Sequence, residues 1–353
     1  MTKKVLIGNV EVGGGSSVKI QSMNNTDTRD AKATLAQIRE LADNGCDITR
    51  VAIPDMAAAE SLKEITKNSP IPVVADIHFD YRLALAAADN GAAKIRINPG
   101  NIGGPDKVKL VADKCKERHI PIRVGVNSGS ISRDILAKYG EVNADAMTES
   151  ALGAVKLLED QDFDDIVISI KSSSPRLTID TYRILSKSCD YPLHVGVTEA
   201  GTVREGAIKS AVGIGALLAE GIGDTIRVSL TGNPVDEVIT AKQILKALDL
   251  RDGGITFISC PTCGRTQVPL IDLAGQIEDK VSKLPYNLKV AVMGCVVNGP
   301  GEARECDIGL AGGIDEFLLF EKGVPVRKIP AAVAVDEFVR EVIRVGEEKR
   351  KAT

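Results

Sequence analysis

The hydrophobic and polar positions of the chain alternate between two periods from about residue 18 to residue 249. Short, nearly continuous apolar runs rich in Val and Ile predict parallel strands buried on both faces. These runs are found at 18–23, 48–53, 72–77, 93–98, 121–127, 165–171, 192–198 and 225–230. The segments between them carry apolar residues at helical spacing, such as Leu35, Ile38 and Leu41 in the first. Eight strand–helix units predict an α/β fold with an N-terminal (β/α)8 TIM barrel, with a doubly wound sheet as the alternative.

The pattern changes at the polar, glycine-containing segment 248–254. Beyond it, strands and helices mix in the manner of a small α+β domain. The predicted strands are 255–259, 288–294, 306–311, 316–321 and 324–329, and the predicted helices are 268–284 and a last one from about 332. We therefore expect a barrel domain at 1–250 and an α+β domain at 251–353.

The composition of the chain argues against several classes of function. The 44 Lys and Arg residues against 48 Asp and Glu give a net charge of −4, which implies no general attraction to nucleic acid or anionic membranes. Aromatic residues are only 3% and Trp is absent, which argues against base-stacking surfaces. The N-terminus has no sustained apolar run, and no stretch has the length of a membrane span. With seven cysteines and no secretion signal, we expect the cytoplasm.

Charged and polar residues occur where the predicted strands end, which is where barrel enzymes place their active sites. They are Arg50, Asp76, His78, Arg96, Asn98, Arg123, Asn127, Lys171, Thr198, Glu199, Arg227 and Ser229. Four arginines and a lysine outnumber the two carboxylates, and burying that excess of positive charge is costly without an anion. Because guanidinium groups match phosphate oxygens, the set predicts a substrate with more than one phosphate. Interior salt bridges with Asp76 and Glu199 are the alternative.

The histidines differ in context. His78 follows a strand, where it is either a general acid or hydrogen-bond donor of the site or a structural residue; the sequence leaves both interpretations open. His194 lies within a strand, and His119 precedes one, so we expect structural roles for both.

The segment from Cys260 to Cys306 holds four of the seven cysteines, as C-x2-C, a gap of 31 residues, Cys295, a gap of 10 and Cys306. Cys260 and Cys263 can reach one inorganic centre from a single turn, while the distant third cysteine needs the folded domain. A [4Fe-4S] cluster, a structural zinc site and inert thiols are the three interpretations; zinc ribbons usually have a second close pair. Cys306 is one candidate for the fourth ligand, and Glu302 is an oxygen alternative.

Six segments of the chain together resemble the 4-hydroxy-3-methylbut-2-enyl diphosphate synthase family of the methylerythritol phosphate pathway, in its two-domain bacterial form. They are VADIHFDYRLA, KIRINPGNIG, RVGVNSGS, HVGVTEAG, SCPTCGRT and VMGCVVNGPGEA. The resemblance covers essentially the whole chain. It implies a reductive ring opening and dehydroxylation of 2-C-methyl-D-erythritol 2,4-cyclodiphosphate, with two electrons from flavodoxin or ferredoxin.

The resemblance also implies roles for particular residues. A [4Fe-4S] cluster would be held by Cys260, Cys263, Cys295 and Glu302, with Cys306 structural. The substrate would be bound by Arg50, Arg96, Asn98, Arg123, Asn127, Lys171, Thr198, Arg227, Ser229 and Asn298. Catalytic roles would fall to Glu199, Glu302, His78 and Asp76, with Glu199 as a proton-transfer candidate. The family further implies a head-to-tail homodimer. The rival functions are a barrel lyase with structural zinc and an iron-sulfur redox module without enzymatic activity.

Overall fold

Eight parallel strands form the sheet of the first unit of the protein, Met1–Arg251, in a computed structural model that describes residues 1–251, 253–266, 268–295 and 303–352. They are β3 Lys19–Met23, β4 Ile48–Ala52, β5 Val73–Asp76, β6 Lys94–Ile97, β7 Ile122–Asn127, β8 Ile166–Lys171, β9 His194–Val195 and β10 Thr225–Ile226. Their order is β8-β7-β6-β5-β4-β3-β10-β9. The hairpin β1 Val5–Ile7 and β2 Val10–Val12 precedes them.

Helices follow the strands in sequence, which gives the strand–helix repeat that the hydrophobic pattern predicts. They are α1 Ala31–Asp43, α2 Met56–Asn68, α3 Tyr81–Asp89, α4 Pro105–Arg118, α5 Arg133–Tyr139, α6 Ala144–Glu159, α7 Pro175–Ser188, α8 Val203–Ala219 and α9 Pro234–Ala247. Aspartates cap the first three: Asp30, Asp55 and Asp80 each accept a hydrogen bond from a first-turn amide. Such caps satisfy amides that have no partner within the helix, so they fix where each helix begins.

The sheet closes between β8 and β9, and the contact there is short. Ile168 and Leu193 form a single parallel bridge. Beside it, the Tyr182 hydroxyl accepts from the Ile170 amide at 2.9 Å and donates to the His194 carbonyl at 2.6 Å. One side chain thus completes the ladder where two backbones diverge. The predicted barrel is confirmed, and the doubly wound alternative is excluded.

The hairpin β1–β2 fills the amino end of the barrel. Ile7 and Val12 pack with Ile48 and Val74, which begin or lie within barrel strands, in one buried apolar cluster. The sequence pattern did not predict this hairpin, because its strands have three residues each. Apolar side chains thus fill this end of the barrel.

The second unit, Asp252–Thr353, is a mixed α+β domain of the predicted kind. Its elements are β11 Ile255–Ser259, α10 Leu270–Val281, β12 Leu288–Met293, β13 Ile308–Gly312, β14 Glu316–Glu321, β15 Val324–Pro330 and α11 Ala334–Ala352. The strands are ordered β11-β12-β13-β14-β15; the first three are parallel and the last two pairings are antiparallel. Ile277 of α10 and Phe338 of α11 pack on the sheet in one core. No helix in the described parts of either unit is long and apolar enough to cross a membrane.

Candidate active site

Sheet register brings three charged residues into one row. Asp76 pairs with Arg96 on the neighbouring strand, and Arg96 pairs with Arg123 on the next. Because paired residues of parallel strands project to the same face, the three side chains lie side by side in the interior. Asn127 and Lys171 are paired in the same way nearer the carboxyl ends of β7 and β8. The strand-end positions of the sequence therefore converge as predicted for a barrel.

These side chains line a cavity of about 260 Å³. Its lining residues are Met23, Arg50, Asp76, His78, Arg96, Arg123, Gly125, Asn127, Ser169, Lys171, Thr198 and Arg227. Sequence analysis missed Met23, Gly125 and Ser169 among them. Gly125 has a specific role, because a Cβ there would lie 2.5 Å from Arg96 Nε, so only glycine lets the guanidinium pass. A small cavity lined by so many cationic groups suits a small, highly charged ligand.

Asp76 is the carboxylate that organises one side of the cavity. Its oxygens lie 3.2 Å from Arg96 Nη1, 3.9 Å from Arg50 Nε and 3.4 Å from His78 Nε2. Burial by itself would raise the pKa of Asp76, but the charge of Arg50, the His78 hydrogen bond and the charge of Arg96 outweigh it and hold that pKa well below its usual range. Asp76 is therefore ionised.

His78 lies at the edge of the cavity, with its side chain 56% exposed. Arg96 Nη1 lies 3.2 Å from its Nδ1. The same Arg96 nitrogen lies 3.4 Å from His78 Nε2, so Arg96 and Asp76 both contact this ring. The exposed ring borders the space that a ligand would occupy.

A second buried carboxylate is Glu237, which sequence analysis missed; it does not line the cavity but contacts the lining residue Arg227. Glu237 is buried on α9, where Oε1 lies 3.4 Å from Arg227 Nη2 and accepts from the Leu230 amide at 3.1 Å. Ser22 donates to its other oxygen at 3.0 Å. A glutamate on the buried face of an amphipathic helix was the available signal. Glu199, the predicted partner, is instead exposed, with a left-handed φ of +51°.

The remaining cationic groups are short of partners. Among the buried atoms that have no hydrogen-bond partner in the described residues are Arg96 Nε, Arg123 Nε and Nη1, Arg227 Nε and Ser229 Oγ. Lys171, also buried, forms no ion pair within that part of the chain. Burial and then neighbouring positive charges lower the pKa of Arg50 to about 10 and those of Arg123 and Lys171 well below their usual values. An anion in the cavity would relieve this repulsion and accept the free N–H groups.

Two other predicted residues have local structural contacts. Asn98 is buried after β6, and its Oδ1 accepts from the Gly100 amide at 3.2 Å, which shapes the turn. Thr198 is half-buried at the cavity wall after β9. Asn98 does not line the cavity, whereas Thr198 does.

In the second unit, neighbouring parallel strands bring two of the predicted ligands together. Cys260 follows β11 and Cys295 comes shortly after β12, whose last residues pair as Ser259 with Val292. The Gly294 amide donates to Cys260 Sγ at 3.2 Å, so this sulfur lies beside the residue that precedes Cys295. A sulfur that accepts an amide hydrogen bond is suited to the thiolate form that metal clusters require.

Cys263 lies in the exposed turn after Cys260. Its amide donates to Thr266 Oγ1 at 3.1 Å, and the Thr266 amide donates to its carbonyl at 2.9 Å. The backbone hydrogen bond from Arg265 is the main factor that lowers the pKa of the Cys263 thiol. The turn therefore favours a thiolate at an accessible position.

Cys306 has a different environment. It is almost fully buried with Met293, Ala311 and Phe320, and burial raises the pKa of its thiol. The predicted residues Asn298 and Glu302 lie outside the described residues. As placed, no group of three or more His, Cys, Asp or Glu side chains in the described ranges could hold a single metal ion. The donor set of Cys260, Cys263 and Cys295 fits an iron-sulfur cluster in its chemistry, because all three are cysteine sulfurs.

Comparison with known protein families shows which family this chain belongs to. Residues 2–242 match the GcpE TIM-barrel domain and residues 256–344 match the GcpE protein C-terminal domain. The chain belongs to the GcpE family. Its two GcpE domains coincide closely with the barrel unit and the α+β unit.

Relatives of this GcpE chain are similar over almost its full length. A protein of Ruminiclostridium cellulolyticum is 61% identical over 341 residues, which are 97% of this chain and 97% of that protein. One of Geobacter sulfurreducens is 56% identical over 348 residues, which are 99% of each. Both are named 4-hydroxy-3-methylbut-2-en-1-yl diphosphate synthase (flavodoxin).

Among solved structures, the GcpE barrel resembles type I 3-dehydroquinate dehydratase from Clostridium difficile, with a TM-score of 0.51 and 13% identity. The match covers 71% of this chain and 98% of that one. At this identity the likeness concerns the fold alone.

Proposed function

We propose that this GcpE-family protein converts 2-C-methyl-D-erythritol 2,4-cyclodiphosphate to (E)-4-hydroxy-3-methylbut-2-enyl diphosphate by reductive ring opening and dehydroxylation. The observation that carries the proposal is the barrel cavity, where four buried cationic side chains and the partly buried Arg227 outnumber the one lining carboxylate, Asp76, and several N–H groups have no partner in the described residues. The names of the relatives supply the substrate class. The overall change takes up two electrons and a proton and releases water.

The diphosphate would be bound by the cationic groups of the cavity. These are Arg50, Arg96, Arg123, Lys171 and Arg227, assisted by Asn127 and by the unpartnered hydroxyl of Ser229. Strand register already holds the arginines in place, so little ordering is needed when the anion binds. Asp76 would remain ionised and keep Arg50 and Arg96 oriented toward the ligand.

Polar groups at the edge of the cavity would act near the reacting carbons. His78 lies beside Asp76, Asn98 follows β6, and Thr198 follows β9. Glu199 would hold the substrate hydroxyl or deliver the proton that leaves with it as water. Its left-handed φ of +51° is consistent with a functional position, because such strain is concentrated at active sites.

A [4Fe-4S] cluster held by Cys260, Cys263, Cys295 and Glu302 would supply the two electrons, one at a time, received from flavodoxin or ferredoxin. The apolar packing of Cys306 supports Glu302 as the fourth ligand. Asn298 would hydrogen-bond the substrate from the cluster side. The protein would act in the cytoplasm, where thiols stay reduced.

We also propose a head-to-tail homodimer in which the second unit of one protomer serves the barrel of its partner. Co-expression of Arg123→Ala with Cys263→Ala tests it. Mixed dimers would contain one site with both parts intact, so about a quarter of wild-type turnover should return under random pairing. If each chain served its own barrel, the mixture would stay as inactive as either variant.

The function itself is tested on anaerobically purified protein. We expect about four iron and four sulfide per chain, visible absorbance that dithionite bleaches, and turnover of the cyclodiphosphate only with a reductant. A colourless zinc protein that is active without a reductant would instead support a barrel lyase.

A further inference from the structure

A fully buried amine lies in the barrel interior next to the cationic cavity. Lys94 is on β6, two residues before Arg96, so both side chains project to the same interior face. Lys94 is 0% exposed and does not line the cavity. Its Nζ has one long hydrogen bond, 3.4 Å to Gln21 Oε1. In the residues that the structure describes, no carboxylate lies within ion-pair distance of it.

The charged and titratable groups of the surrounding strands give Lys94 little compensation. They are Arg50 on β4, Asp76 on β5, Arg96 on β6, Arg123 on β7, Lys171 on β8, His194 on β9 and Arg227 after β10. Asp76, which lines the cavity, and Glu237, which contacts Arg227, are already paired with arginines. An ammonium group at Lys94 would therefore be desolvated and repelled.

Burial first, and then the charges of Arg123 and Arg50, lower the pKa of Lys94 well below its usual value. His194 is similar: it is fully buried, its Nε2 has no partner in the described chain, and burial followed by Arg123 and Lys171 lowers its pKa well below the usual value. Its Nδ1 lies 2.8 Å from Thr225 Oγ1. Burial and the neighbouring cations thus favour the neutral forms of both bases.

We propose that Lys94 is a sixth cationic group of the anion site, uncharged in the free protein and protonated when a doubly charged diphosphate occupies the cavity. The inference rests on the proposed function. Lys94 would be a positioning residue, since it would act on the ligand through its charge and through Arg123 rather than by contact.

The physical reason is the change of local charge on binding. A ligand with two negative charges offsets the repulsion from Arg50 and Arg123, which favours the charged form of a nearby amine. Binding would then take up a proton, so affinity should fall as pH rises between the pKa of free Lys94 and that of the complex. The free protein would avoid one buried charge that the complex can accommodate.

The test is calorimetric titration with 2-C-methyl-D-erythritol 2,4-cyclodiphosphate in buffers of different ionisation enthalpy. Each phosphorus of this ligand carries one strongly acidic oxygen, so the ligand itself does not titrate. The titration is run at about pH 8.5, well above the ordinary pKa of an imidazole. Wild-type protein should take up protons on binding, and Lys94→Met should lose this uptake. Lys109→Met is the matched control, because Lys109 is an exposed lysine paired with Asp113.

Uptake by Lys94→Met equal to that of wild type would overturn the inference. So would loss of uptake in His194→Gln with normal uptake in Lys94→Met. If wild-type protein binds the cyclodiphosphate without proton uptake, the inference about Lys94 is wrong but the proposed function is not affected. If wild-type protein does not bind the cyclodiphosphate, the proposed function is wrong as well.

Folding of the variant has an independent readout. Because the amine is charged in the unfolded chain but neutral in the fold, unliganded Lys94→Met should be more stable than wild type at neutral pH. This difference should shrink as pH rises toward about 10.4, the ordinary pKa of lysine. A Lys94→Met protein less stable than wild type at neutral pH would contradict an uncharged Lys94.

Discussion

The barrel cavity and the cysteine turns of the second unit are built in different ways. In the barrel, Asp76, Arg96 and Arg123 are held by strand register, and their side chains are buried before any ligand is present. In the second unit, Cys260 and Cys263 are on turns after a strand, and Cys263 is exposed. Strands determine where a side chain points, whereas turns leave that to local hydrogen bonds and to the bound group.

This difference has an energetic side. The barrel concentrates positive charge in advance, which costs stability in the free protein and favours an anion. The cysteine turns store no comparable charge, and their three thiolates would become favourable on binding the proposed metal centre. Changes in the barrel should therefore alter stability and substrate affinity together, while changes in the cysteines should alter cofactor content and turnover.

The largest expected effect separates the two regions directly. Cys263→Ala should abolish reductant-dependent turnover, a greater loss than the about 10–100-fold cost of removing a residue that only supports a metal ligand. Affinity for the cyclodiphosphate, measured by calorimetry on the same protein, should stay close to that of wild type. Cys189→Ala is the control, because Cys189 is a free cysteine of the barrel unit, distant in sequence from Cys263. A Cys263→Ala protein with full iron content would remove Cys263 from the ligand set.

Asp76→Asn should cost the free protein about 3–5 kcal/mol, because it leaves Arg50 and Arg96 buried without their counterion. The folded pKa of Asp76 lies below its unfolded value, so its contribution is present above about pH 3.9 and is lost as pH falls further. Denaturant unfolding should therefore show a constant deficit from neutral pH to about pH 4, and a smaller deficit in stronger acid. Asp80→Asn, at an exposed pair with Arg82, should show little deficit.

Arg123→Met should stabilise the free protein, in contrast to Asp76→Asn, although Arg123 lies in the same row of paired strand residues as Asp76. It removes a buried charge with two unpartnered nitrogens, so the free protein should gain on the order of 1–4 kcal/mol. Anion affinity should fall by about 2–5 kcal/mol, since the ligand loses a desolvated cationic partner. Thermal unfolding with and without the cyclodiphosphate measures both quantities. Arg82→Met is the exposed control. Unchanged affinity would count against the anion site.

Much of the barrel and its cavity could be predicted from sequence, because both depend on short-range patterns. Apolar runs marked the strands, and the arginines at their ends marked the cavity. Glu237 and Lys94 could not be found in this way. Glu237 is on a helix and contacts a residue of the cavity only through packing, and Lys94 is the first residue of a strand, where a lysine usually faces solvent. The second unit's strands were predicted as well. The spacing of its cysteines left the fourth ligand open, and the set Cys260, Cys263, Cys295 and Glu302 came only from the resemblance. The approach of Cys260 to the residue before Cys295 depends on the pairing of β11 with β12, which the sequence pattern does not contain.

The smallest effect concerns the barrel alone, at the contact between β8 and β9. Tyr182→Phe removes the hydroxyl that joins the Ile170 amide to the His194 carbonyl, and it leaves both groups buried without that partner. The expected loss is about 1–3 kcal/mol of unfolding free energy. Because the sheet closes there with the Ile168–Leu193 bridge, this hydroxyl and the hydrogen bond from the Thr198 amide to the Ser172 carbonyl, amide exchange at Ile170 should rise more than exchange in the strands on the far side of the barrel, such as β4. Iron content per chain should not change, since no cysteine turn is involved. Equal exchange increases in all strands would mean that the hydroxyl supports the barrel as a whole and not its closure.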